Sequence, residues 1–337
     1  MSVEKKSGIA LIATVAIVAM GGMPAAAQSS SSSTESELPR TAWGAPDLGG
    51  VWDYRTITPL ERPEEYGDRA FLTEEEVAEL EQGAEDRELA ADQAPARLAE
   101  AIEEDGNPLA VVGCCNRFWL DYGTQAQETR RTSLIIDPPN GRMPPKTPEG
   151  EKRPGNRSSF GSHAFETLDD FSAGDRCNGT LGVPIRPIPY NNNVQVFQTE
   201  DHVVMSVEMF KTTRIIPISD SPHGMIRQDV GDSRGHWDGD VFVVETTNFT
   251  DGPTAGGASQ NATLIERFRR VSPEILEYEY TIDDPDTWTA PWSALQTLRH
   301  NPLQIYEYAC HEGNYGLVNM LRGARLEELA AKKSGGQ

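Results

Sequence analysis

Two polar clusters in the C-terminal half of the chain carry residue types suited to acid–base chemistry. The first lies in Gly231-Asp232-Ser233-Arg234-Gly235-His236-Trp237-Asp238-Gly239-Asp240. Residues two apart on an extended chain project to one side, so Asp232 and Arg234 can form an ion pair that orients a third group, with His236 completing the trio. Asp238 and Asp240 flank a turn glycine and read as solvated turn residues. Such carboxylates could also suit calcium, but the spacing of an EF-hand loop is missing and no metal is expected.

The second cluster is Glu307, His311 and Glu312. On one extended strand Glu307 and His311 stand about 13 Å apart, so they would line one wall without touching. Histidine is the side chain best matched to proton transfer near neutral pH. His311 is therefore expected to move the proton, its tautomer fixed by a carboxylate, with Glu208 of a facing strand the first choice and Glu312 the second. Arg234 would bind an anionic or developing negative oxygen. The other histidines, His163, His202, His223 and His300, fall at turns or in irregular segments and read as surface residues. Tyr278, Tyr280, Tyr306 and Tyr308 read as packing aromatics.

The chemistry implied is a lyase, isomerase or hydrolase step on a small organic molecule, without an organic cofactor. No Gly-x-Gly-x-x-Gly, Walker loop, Gly-x-Ser-x-Gly elbow or His-Glu-x-x-His is present. The glycine-rich stretch from Gly252 to Gly257 lies between strands with no helix start, so it reads as a loop and not a phosphate cradle. The alternative is a non-catalytic carrier of an apolar or aromatic ligand. Titratable groups converging on one substrate atom would mark the enzyme, and mainly apolar walls the carrier.

The elements that must hold these residues are mostly strands. Period-two patterns predict strands at Val194 to Gln198, Val203 to Phe210, Arg214 to Ile218, Thr263 to Val271, Leu276 to Asp283, Ser293 to Arg299 and Gln304 to His311. Trp237-Asp238-Gly239-Asp240 predicts a hairpin with a type I′ turn. Thr73 and Glu76 form a capping box for a peripheral helix over 73–92, and Leu317, Met320, Leu321 and Ala324 mark a closing helix over 314–330. Residues 138–193, rich in Pro, Gly and Asn, read as a long excursion covering one mouth of the array. The fold class expected is mainly β: an antiparallel lipocalin-like barrel or strongly curved sheet with a peripheral and a C-terminal helix.

Gly50-Val51-Trp52 at the first strand resembles the opening of lipocalin-like barrels, where the ring plugs one end. The segments Gly231 to Asp240, Glu245-Thr246-Thr247-Asn248-Phe249-Thr250 and Glu307-Tyr308-Ala309-Cys310-His311-Glu312-Gly313-Asn314-Tyr315 resemble a family of secreted bacterial proteins with no established activity. That resemblance implies a shared fold and export, and brings no catalytic residues with it.

Export is also read from the N-terminus. Lys5 and Lys6 precede the apolar run Gly8 to Met23, and Ala25-Ala26-Ala27 supplies a cleavage site, so residues 1–27 read as a signal peptide. Residues 28–44 then form a flexible leader, 45–330 one barrel-like domain and 331–337 a tail. Cleavage removes two lysines and one glutamate, which takes the net charge from -22 to -23. Such a chain repels phosphate backbones and anionic membranes, so the partner expected is a small molecule, with no nucleic acid and no membrane after cleavage. In a periplasmic or secreted setting its cysteines can pair. Adjacent Cys114 and Cys115 strain any bond between them. A bridge from Cys177 to Cys310 would tie the excursion to the last strand, leaving Cys114 and Cys115 as thiols or a minor bridge.

Overall fold

Strands form where Val, Ile, Tyr and Thr alternate with polar residues, because that pattern places one apolar face on a core. The computed structural model describes residues 38–93, 121–153, 167–251 and 257–334. The expected signal peptide over 1–27, Cys114, Cys115 and His163 lie outside the described residues. So does most of the glycine-rich loop.

The described chain contains β1 (Gly50–Asp53), α1 (Glu74–Gln93), β2 (Ile135–Asp137), α2 (Pro148–Lys152), β3 (Asn193–Gln198), β4 (His202–Val207) and β5 (Thr213–Pro217). There follow β6 (Asp232–Asp238), β7 (Val241–Thr247), β8 (Thr263–Arg270), β9 (Ile275–Asp283), β10 (Trp292–Asn301) and α3 (Tyr315–Ser334). The strands make one 10-stranded sheet in the order β5-β4-β3-β1-β10-β9-β8-β7-β6, with β2 added on β10. Every ladder is antiparallel.

Alternation predicts the buried face strand by strand. On β9, Leu276, Tyr278, Tyr280 and Ile282 are buried, and on β4 so are Val203, Met205 and Val207. Trp52 lies fully within this core, its indole N–H donating to the Leu48 carbonyl at 2.9 Å. The Arg270 guanidinium sits 5.1 Å over its ring. The sheet curls hard: Arg214 on β5 reaches Glu266 on β8, although five strands separate them in the sheet order.

The sheet does not close into a barrel. Its end strands β5 and β6 meet at one isolated parallel bridge, Ile218 to Gly235. Pro217, which has no N–H, ends β5 before a ladder can grow there.

Three local expectations are corrected. Residues 304–311 form no strand, since Pro302 follows β10 and β10 is already paired on both sides by β1 and β9. The β4 strand stops at Val207 instead of Phe210, because Phe210 and Lys211 take positive φ in a tight turn. The hairpin loop is Gly239-Asp240, and only Gly239 has positive φ, so it is not the type I′ turn, which needs both.

The helices match their signals. Thr73 Oγ1 accepts from the Glu76 N–H at 3.2 Å, and Glu76 Oε2 accepts from the Thr73 N–H at 2.8 Å, closing the capping box of α1. Cys177 and Cys310 are disulfide-bonded with Cα atoms 5.6 Å apart. The stripe on α3 is half-buried, with none of Leu317, Met320, Leu321 and Ala324 fully covered.

Candidate functional site

A fully buried polar cluster stands on the inner face. Arg214 donates two hydrogen bonds to Glu266, at 2.6 and 3.0 Å, and Tyr278 donates a third to Glu266 at 2.7 Å. Burial opposes the Arg214 charge, yet the Glu266 carboxylate outweighs it and holds the guanidinium firmly protonated. Burial also pushes the Tyr278 hydroxyl well above its ordinary range. Both Glu266 oxygens and the Tyr278 hydroxyl are bonded to other protein groups, which gives the cluster an architectural role.

From this cluster the fold reaches outward to a cavity. The Tyr278 hydroxyl accepts from the Ile185 N–H at 3.1 Å, and Gln296 Nε2 donates to the Ile185 carbonyl at 3.1 Å. Ile185 is thus pinned on both sides to β9 and β10. Gly182, with φ +80, lets the chain pass so close to β4 that a Cβ there would lie 2.3 Å from Val207 Cγ2. Residues 180–188, residues 54–60 and the C-terminal half of α1 then enclose a cavity of about 650 Å³.

Its walls are largely apolar, with Leu60, Leu134, Val183, Pro184 and Ile188 among them. Its charged lining residues are Arg87, Glu88 and Asp92, all exposed on α1, and Arg186, which is half-buried. Arg186 makes no ion pair or hydrogen bond among the described residues. Tyr54 also lines the cavity, and burial, then the Glu208 and Asp53 charges, push its hydroxyl far up, so it stays protonated.

A second polar set lies on the outer face of β6. Asp232 and Arg234 do project to one side, and Arg234 Nη1 donates to Asp232 Oδ1 at 2.6 Å. Arg234 also donates to the carbonyls of Ser221, Pro222 and Ser233, so it braces the loop after β5. His223 in that loop stands between two carboxylates. Its Nδ1 is 3.3 Å from Asp232 Oδ2 and its Nε2 3.1 Å from Glu245 Oε1. Burial raises the Asp232 pKa, but the Gly224 N–H and the Arg234 guanidinium overcome it and hold the carboxyl below its ordinary value.

The expected residues are therefore split. Asp232 and Arg234 come together, while His236, on the same face of β6, is exposed. His311 and Glu312 lie exposed in the irregular segment before α3, and the His311 ring has no partner among the described residues. Glu307 pairs with Lys211. Glu208 accepts from Asn193 Nδ2 at 2.8 Å and makes no bond to His311. None of the six proposed catalytic residues lines the cavity.

Sequence reading missed His223, placed on the surface, and Arg186, which sits in a proline-rich run without periodicity. Glu266 carried a signal, because Leu264, Glu266 and Phe268 alternate onto one buried face. Among the described residues, no group of three or more His, Cys, Asp or Glu is placed to hold a metal ion. No described helix is long and apolar enough to cross a membrane. No family model matches the chain and neither does any curated protein, so its own geometry is the ground for assigning a function.

Proposed function

We propose that this is an exported binding protein that holds a small organic molecule, mainly apolar or aromatic, in the cavity between α1 and residues 180–188. The observation that carries this reading is the cavity itself: about 650 Å³, with walls more apolar than polar and its exposed charges gathered on α1. That volume falls within the range of small-ligand sites. Export is supported by the signal-like N-terminus and agrees with the Cys177–Cys310 disulfide. A distant lipocalin-like relationship is supported by Gly50-Val51-Trp52 at the first strand and by the hard curl of the sheet, although that sheet does not close.

Acid–base catalysis is the second reading, favoured by one observation. His223 held between Asp232 and Glu245, with Arg234 beside it, is the place where an acid, a base and a cation meet. The role first given to His311 passes to His223 in this reading, since His311 has no partner for its ring.

Native mass spectrometry of protein purified from an exporting host separates these possibilities. The expected result is a bound small molecule in the wild type that is lost in Ala91→Trp, where the indole fills the cavity from α1. A wild type without any bound mass, or equal binding by Ala91→Trp, overturns the cavity reading. If the recovered molecule is consumed by the wild type and not by His223→Gln, catalysis takes precedence.

A further inference from the structure

Arg186 is the half-buried charge of the cavity, and the described residues provide no carboxylate for it. The remaining charged lining residues, Arg87, Glu88 and Asp92, are exposed on α1 and bathed in water, where charges interact weakly. The backbone next to Arg186 is fixed by the double anchoring of Ile185. A guanidinium offers five N–H donors in a planar fork and stays charged, so a site that encloses it gains by admitting an oxyanion. Burial pushes the Tyr280 hydroxyl up to about 12 with the Arg186 charge opposing it, and that hydroxyl has no hydrogen-bond partner of its own. The whole chain carries net charge -22, so its long-range field turns anions away, and an anion that binds must be drawn by a local cation.

From these observations we infer that the cavity selects an amphipathic anion: an aromatic or apolar body against Leu60, Leu134 and Ile188, and a carboxylate or sulfonate head on Arg186. This rests on the cavity reading above and adds the chemical class of the ligand.

Two dyes test it, because they share one skeleton and differ by a single charge. Anilinonaphthalene sulfonate is the anionic member, and phenylnaphthylamine is the neutral one; both fluoresce on entering apolar surroundings. The wild type should bind the sulfonate about tenfold or more tighter than the neutral dye, the scale of a charge-assisted hydrogen bond. Arg186→Gln should erase that preference while changing the affinity for the neutral dye less than about twofold, and Arg186→Lys should keep part of it. Arg269→Gln, an exposed arginine on the outer face of β8, should leave both affinities unchanged. Ala91→Trp should block both dyes.

The outcomes separate the two layers of the reading. If neither dye binds, or Ala91→Trp leaves both bound, the cavity reading itself fails. If both dyes are blocked by Ala91→Trp but the preference survives in Arg186→Gln, the cavity stands and the role of Arg186 is overturned.

Discussion

Arg214 can sit in an apolar interior because Glu266 meets it there with two hydrogen bonds and Tyr278 takes part of the remaining capacity of the carboxylate. Removing one partner of a buried pair leaves the other charge without compensation, which costs far more than the pair contributes. Arg214→Met should therefore lower stability by roughly 3–5 kcal/mol, and Arg214→Met with Glu266→Leu should recover much of that loss. Chemical denaturation midpoints of the two variants decide it. Asp232 behaves differently, because its carboxyl is held below its ordinary value. A depressed carboxyl stabilises the fold above the unfolded pKa of about 4, and that contribution disappears as pH falls through the folded value. The difference in melting temperature between wild type and Asp232→Asn should thus be largest near neutrality and shrink below about pH 4. A difference that stays constant across that range would contradict the assignment. The residue scale also shows how far the sequence could be read. Strand alternation places Asp232 and Arg234 on one side, as found. It says nothing of His223, nine residues earlier, which returns to them only through the path of a loop.

At the scale of elements, local signals are legible where the chain itself supplies the partners. The capping box of α1 closes within four residues, and the faces of β4 and β9 follow from period two alone. The expected strand over 304–311 has the correct period too. It fails because β10 is already paired on both sides, and that is a property of the sheet, not of the segment. That stretch is instead tied by Cys310 to Cys177, across a separation of 133 residues. Cross-linking so long a loop restricts the unfolded chain strongly, so Cys310→Ser should cost roughly 3–5 kcal/mol. Because the bridge lies at the base of α3, amide exchange in Tyr315–Ser334 should quicken in that variant more than exchange in β9. Unchanged stability in Cys310→Ser would show that the noncovalent contacts around residues 175–177 and 308–314 are enough.

At the scale of the whole molecule, the cavity joins segments that are distant in sequence: residues 54–60 after β1, the C-terminal half of α1, Tyr122, Gly123 and Leu134, and residues 180–188. None carries a recognisable motif, and the proline-rich run 180–188 has no periodicity. What assembles them is the curl of the sheet, which turns its inner face toward Ile185 and fixes that residue from β9 and β10. Mainly β architecture, antiparallel pairing and a hard curl are therefore legible in alternating residues. The position of a binding site is not, because it depends on which loop the curl captures. The most direct test is a crystal structure of the protein saturated with anilinonaphthalene sulfonate. The rings should lie between α1 and residues 180–188, with the sulfonate within hydrogen-bond distance of the Arg186 guanidinium. Dye bound outside that cavity, or held in it with the sulfonate turned away from Arg186 toward solvent, would contradict it.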